Sequence, residues 1–130
     1  MRLLRIDHVS LNAGDRAASI AFYEDVLGVA AGQPGPPDEP VFLGPRGARL
    51  GVFADRAPGL RHIALATDGA GRAQVIERLD HLGVPYTPER HRDSDSLYFA
   101  DPDGIVLEVM VPRAAQRGVS PAHRPLPTRS

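Results

Sequence analysis

The sequence has no cysteine, no lysine and no tryptophan. The missing thiols exclude disulfides, thiolate metal sites and cysteine nucleophiles. They also leave the redox compartment unmarked, so a cytoplasmic location is the default expectation. With lysine absent, all fifteen basic residues are arginine, and neither a Schiff base nor a lysine general base is available. Aromatic residues make up only 5% of the chain, which weighs against a pocket that captures a drug on stacked rings. Charge of one sign is lacking too: 15 basic and 16 acidic residues leave a net charge of −1. No basic field exists to attract nucleic acid. No apolar run approaches the ~18 residues of a membrane span, and Met1-Arg2-Leu3-Leu4-Arg5 lacks the apolar core of a signal peptide.

What is present suits one globular domain: 130 residues, 42% hydrophobic and 24% charged. Glycine and proline each number thirteen, and seven of the prolines lie in Gln33–Pro40 or beyond Pro112. Both stretches read as irregular, and residues 113–130 read as an Arg/Pro-rich tail, disordered or draped on a partner subunit.

The chain repeats itself. Asp7-His8-Val9-Ser10-Leu11 matches Arg61-His62-Ile63-Ala64-Leu65, Leu27-Gly28-Val29 matches Leu82-Gly83-Val84, and the segment from Phe42 to Val52 matches that from Phe99 to Val109, in the same order at offsets of 54 to 57 residues. Each half opens with an alternating strand. A helix follows, carried by Ile20, Tyr23 and Leu27 in one half and by Val75, Ile76, Leu79 and Leu82 in the other. Asp15 is the expected N-cap of the first helix, and Gly28 and Gly83 are the expected helix stops. Three short strands come next, the last two joined by Gly44-Pro45-Arg46-Gly47 and Asp101-Pro102-Asp103-Gly104. The expected fold is α+β: two tandem βαβββ modules, about residues 4–55 and 59–112, whose sheets cup a cavity while the helices lie outside.

Alternation assigns the faces. Val9, Leu11, Leu50, Val52, Ile63, Leu65, Leu97, Phe99, Leu107 and Val109 go under the helices. The opposite faces carry His8, Ser10 and Asn12; Arg49, Gly51 and Phe53; His62; Ser96 and Tyr98; and Glu108 with Met110. Two histidines and a carboxylate with open positions make a ligand set suited to Fe(II) or Mn(II), with Zn(II) or Ni(II) also compatible. A carboxylate between Leu107 and Val109 is costly to bury unless it is paired or ligating. Core histidines bonded to backbone are the simpler reading of His8 and His62 taken singly. Arg49 reads either as an ion-paired surface residue or as the partner of a substrate anion. Phe53 and Met110 read as apolar walls. His81, His91 and His123 read as solvated, with a lesser role for His91 as an acid–base group or lid.

These residues resemble the vicinal oxygen chelate superfamily, which includes glyoxalase I, extradiol dioxygenases, fosfomycin-resistance enzymes and bleomycin-binding proteins. The resemblance runs from about Ile6 to Pro112, through Asp7-His8-Val9, Ala21-Phe22-Tyr23-Glu24-Asp25-Val26-Leu27-Gly28, His62-Ile63-Ala64-Leu65 and the segment from Leu97 to Glu108. It implies paired βαβββ modules, one divalent metal held by His8, His62 and Glu108, a small-molecule substrate, and a homodimer. Glyoxalase I-like members carry a fourth ligand, a glutamate, where this chain has Gly51. Extradiol dioxygenases hold a tyrosine ten residues before the glutamate, as Tyr98 stands to Glu108, which implies a role in proton transfer. Fosfomycin-resistance enzymes contact substrate at positions resembling Ser10, Ser96, Tyr98 and Arg117, but their lysine is missing. The expected function is a metal-dependent, extradiol-dioxygenase-like enzyme that chelates two neighbouring oxygens of its substrate. The alternatives are thiol or water addition to an epoxide and non-catalytic drug binding.

Overall fold

In the computed structural model, residues 4–45 and 47–113 are described. The tail beyond Arg113, with Arg117 and His123, lies outside the described residues. The chain forms two compact units, one of Ile6–Ala64 and one built mainly from residue 65 onward. This division departs from that of the sequence repeat, because most of the strand that opens the second repeat belongs to the first unit.

The first unit holds β1 (Arg5–Ala13), α1 (Arg16–Leu27), β2 (Val41–Leu43), β3 (Arg49–Ala54) and most of β4 (Gly59–Ala66). The strand order is β2-β3-β1-β4. β1 and β3 run parallel with Ser10 opposite Gly51, and β2 pairs antiparallel with β3. Of the three strands expected after α1, the first shrinks to a single bridge, Ala31 to Leu43. The prolines between Gln33 and Pro40 remove the amide donors that would extend it. Asp15 caps α1 by accepting from the Ala18 amide, and Gly28 ends it in the left-handed conformation, as expected; such a cap contributes about 1 kcal/mol. Ile20 and Tyr23 pack on a core of Ala13, Leu43 and Val52. Phe22 and Val26, one turn apart on the same helix, stay exposed.

The second unit holds α2 (Gly69–Leu82), β5 (Thr87–Arg90), β6 (Ser94–Ala100) and β7 (Val106–Pro112). Its strands are antiparallel in the order β7-β6-β5. Val75 and Leu79 of α2 pack on Leu97 and Val109, with Ile76 and Phe99 beside them. The face assignment for this half therefore holds. The β6–β7 turn is stapled by Asp101, whose side chain accepts from the amides of Asp103 and Ile105. Arg113, which the sequence assigns to the tail, is only 1% exposed. No helix among the described residues is long and apolar enough to cross a membrane.

Gly83 stops α2 at φ 69, a conformation that costs a residue with a Cβ about 1–2 kcal/mol. Gly83→Ala is expected to lower the urea-unfolding free energy by about that amount. Gly14, whose added Cβ would meet nothing within 4 Å, is expected to accept alanine without loss.

Candidate metal centre

β1 and β4 bring His8 and His62 together in the first unit. Both are buried, and their ring centroids lie 5.6 Å apart at an interplanar angle of 70°. Adjacent to His8 is Asp7, a residue the alternation argument passes over because neighbours on a strand face opposite sides. Asp7 is 2% exposed. Its Oδ2 lies 2.7 Å from His8 Nδ1 and 3.0 Å from Arg49 Nη2. A buried carboxylate is tolerated when it is paired in this way. The pairing assigns the proton of His8 to Nδ1, so Nε2 carries the lone pair; a carboxylate behind the imidazole is the usual support of a metal-bound histidine.

The same contacts reassign Arg49. Its guanidinium serves Asp7 and lies 4.2 Å over the Phe42 ring. Phe42 in turn reaches the edge of His8, with centroids 5.1 Å apart. A Cβ placed on Gly51 would fall 2.8 Å from a Phe42 ring carbon and 3.1 Å from Ser10 Oγ. The aromatic ring thus fills the space into which a side chain at position 51 would project. Ser10 Oγ is buried and has no hydrogen-bond partner among the described residues. Phe53 stands 6.4 Å from His62 and stacks under Arg61, whose guanidinium donates to Asn12. Glu39 closes its own turn: its amide donates to Pro36, and its Oε1 would sit 3.2 Å from a Cβ on Gly35.

In the second unit, Glu108 is buried on β7. Ser96 donates its hydroxyl to Glu108 Oε2 at 2.6 Å, and Ser94 Oγ stands 3.3 Å behind Ser96 Oγ. Ser96, expected to meet substrate, is committed to the carboxylate. Tyr98 lies opposite Glu108 in the β6–β7 register. Its hydroxyl is 2.9 Å from His91 Nε2, and that nitrogen is 4.0 Å from Glu108 and 3.6 Å from Glu89. His91 is therefore not the solvated residue its polar, proline-flanked neighbourhood suggests; its side chain is 18% exposed. Nothing periodic marks it, since it lies in a turn. Met110 is buried opposite Ser96, and its carbonyl accepts from Thr67. His8, His62 and Glu108 each offer one ligand atom of the kind a divalent ion takes.

A family model described as the Glyoxalase/Bleomycin resistance protein/Dioxygenase superfamily matches residues 5–109. Among solved structures, a methylmalonyl-CoA epimerase from Mycobacterium tuberculosis is 20% identical, covers 83% of this chain and 87% of its own, and superposes with a TM-score of 0.66. The Streptomyces coelicolor methylmalonyl-CoA epimerase (E43L) is also 20% identical, with 88% and 99% covered and a TM-score of 0.65. Catechol 2,3-dioxygenase is 17% identical with a TM-score of 0.74; the match covers 86% of this chain and 41% of the dioxygenase. This chain thus spans less than half the length of that enzyme. At these identities the likeness is one of fold.

The packing of Phe42 on Gly51 has a measurable cost attached. Gly51→Ala is expected to destabilise the protein by about 1–3 kcal/mol through overpacking. In a Phe42→Ala background most of that loss should vanish, which a thermal double-mutant cycle measures.

Proposed function

Because this chain belongs to the Glyoxalase/Bleomycin resistance protein/Dioxygenase superfamily, we propose that it is a divalent-metal-dependent enzyme of the extradiol-dioxygenase type. Its substrate is a small molecule with two neighbouring oxygens. The ligands are His8 and His62 from the first unit and Glu108 from the second, and the donor set favours Fe(II) or Mn(II) over Zn(II) or Ni(II). Two contacts support this set: the Asp7 carboxylate on His8 Nδ1 and the Ser96 hydroxyl on Glu108 Oε2. Each orients a donor and leaves its other ligating atom for the ion. When bound, the ion supplies Lewis-acid activation of the chelated oxygens.

The observation that carries the reading is the pairing of Tyr98 with His91 beside Glu108. A protein that only sequesters a ligand has no use for a phenol and an imidazole in hydrogen-bond contact at a ligand carboxylate. An enzyme does, because the Tyr98 hydroxyl can give or take a substrate proton while His91 Nε2 relays it. Ser10 Oγ, buried and unpartnered, is suited to hydrogen-bond a substrate oxygen. Phe53 and Met110 supply apolar wall. Arg49 belongs to Asp7 and carries no substrate role here. A glyoxalase-type isomerisation needs a second carboxylate, and the matched position, Gly51 under Phe42, does not supply one. A homodimer is part of the same reading; the exposed Phe22 and Val26 offer an apolar face for it.

Metal analysis of protein purified without chelator tests this. One equivalent of Fe or Mn is expected, lost in His62→Ala, with oxygen uptake on a catechol probe. Metal-free protein in both samples would sink the proposal and leave drug binding. Manganese-dependent consumption of an epoxide, without oxygen uptake, would move the assignment to the addition chemistry. Asp7→Asn is expected to weaken Mn(II) binding by about 10–100-fold, read by titration calorimetry.

A further inference from the structure

A charged side chain that is 1% exposed demands an explanation, and Arg113 has one in the turn it grips. Its Nη2 donates to the carbonyls of His91 at 2.6 Å and Ser94 at 3.3 Å, its Nε to the carbonyl of Arg92 at 3.1 Å, and Nη2 also meets Asp95 Oδ1 at 2.9 Å. Its own amide donates to the carbonyl of Asp93. Every residue from His91 to Asp95 is thereby tied to this one arginine. Ser94 and Asp95 are also held by strand pairing with Pro112 and Val111, and His91 donates its amide to the Ser94 carbonyl; Arg92 and Asp93, at the tip, are exposed.

Stability alone does not account for such a group. A buried ion pair is often matched or bettered by apolar residues of the same volume, whereas a planar guanidinium with several fixed donors sets backbone geometry in a way no apolar residue does. The atom whose place depends on this turn is His91 Nε2, 2.9 Å from the Tyr98 hydroxyl. A displacement of the His91 backbone by about 1 Å would break that contact, and proton transfer tolerates little more. Arg113 also follows directly on β7, the strand that carries Glu108. The clamp therefore holds the His91 turn in register with the strand of the candidate ligand.

We propose that Arg113 is a positioning residue: by binding the backbone of the 91–95 turn, it holds the His91 imidazole on the Tyr98 hydroxyl. This rests on the reading of His91 and Tyr98 as the proton-handling pair. The test is NMR of the full, metal-free chain, with labelled histidine and tyrosine, in Arg113→Lys and Arg113→Met. His91→Ala serves as the reference for a broken pair. In folded variants the Tyr98 Cζ resonance is expected to move toward its position in His91→Ala, and the His91 Nε2 resonance to lose its hydrogen-bonded shift. A folded variant that melts at lower temperature with both resonances unmoved would overturn the proposal, since that is the signature of a purely structural arginine. Should Arg113→Met fail to fold, Arg113→Lys decides, because it keeps the charge beside Asp95 but cannot reproduce the fork. These spectra need neither metal nor substrate. Absence of metal binding would therefore count against the functional reading alone, and unmoved resonances in a metal-binding protein against the role of Arg113 alone.

Discussion

Side chains on a strand alternate between two environments, and the placing of His8, His62, Tyr98 and Glu108 descends from that constraint. In each unit one face of the sheet is paid for by apolar contact with a helix: Leu43 and Val52 near α1, Leu97 and Val109 beneath α2. The residues between them must then project to the other side. There the chain places His8, Ser10, His62, Ser96 and Glu108, all of them buried. Polar groups without water are stable only with partners. The identity of those partners is what turns a polar face into a site.

The two units meet that demand differently. In the first, a carboxylate does the work: Asp7 bonds His8 and is itself balanced by Arg49. In the second, hydroxyls do it: Ser96 bonds Glu108, with Ser94 behind. The matched positions Gly51 and Glu108 show the same divergence. One half keeps an acid, and the other gives up its side chain so that the Phe42 ring can close over the strand. The repeated sequence thus keeps a carboxylate at only one of its two matched positions.

The elements were legible because their signals are local. Asp15, Gly28 and Gly83 act through their own backbone and nearest amides, so composition at those positions was enough to place the helix ends. The hairpin turn at Asp101–Gly104 was legible for the same reason. The strand missing after α1 was harder. The prolines that weaken it were visible, but whether a bridge or a strand survives depends on its pairing with Leu43. For Arg49 the sequence leaves an ion pair and a substrate anion both open, because alternation gives direction but not distance to a partner, and Asp7 lies 42 residues away in sequence.

The sequence by itself determined the repeat, the start of α1, the ends of both helices and the alternation that sets His8, His62, Tyr98 and Glu108 apart from the helix-facing residues, because periodicity and turn chemistry are properties of neighbouring residues. Only the tertiary structure decided that Asp7 backs His8, that Phe42 fills the space beside Gly51, that Arg113 grips the 91–95 turn, and that His91 meets Tyr98. Those contacts join residues far apart in the chain, and no local pattern encodes a hydrogen bond whose two ends meet only after the strands have paired.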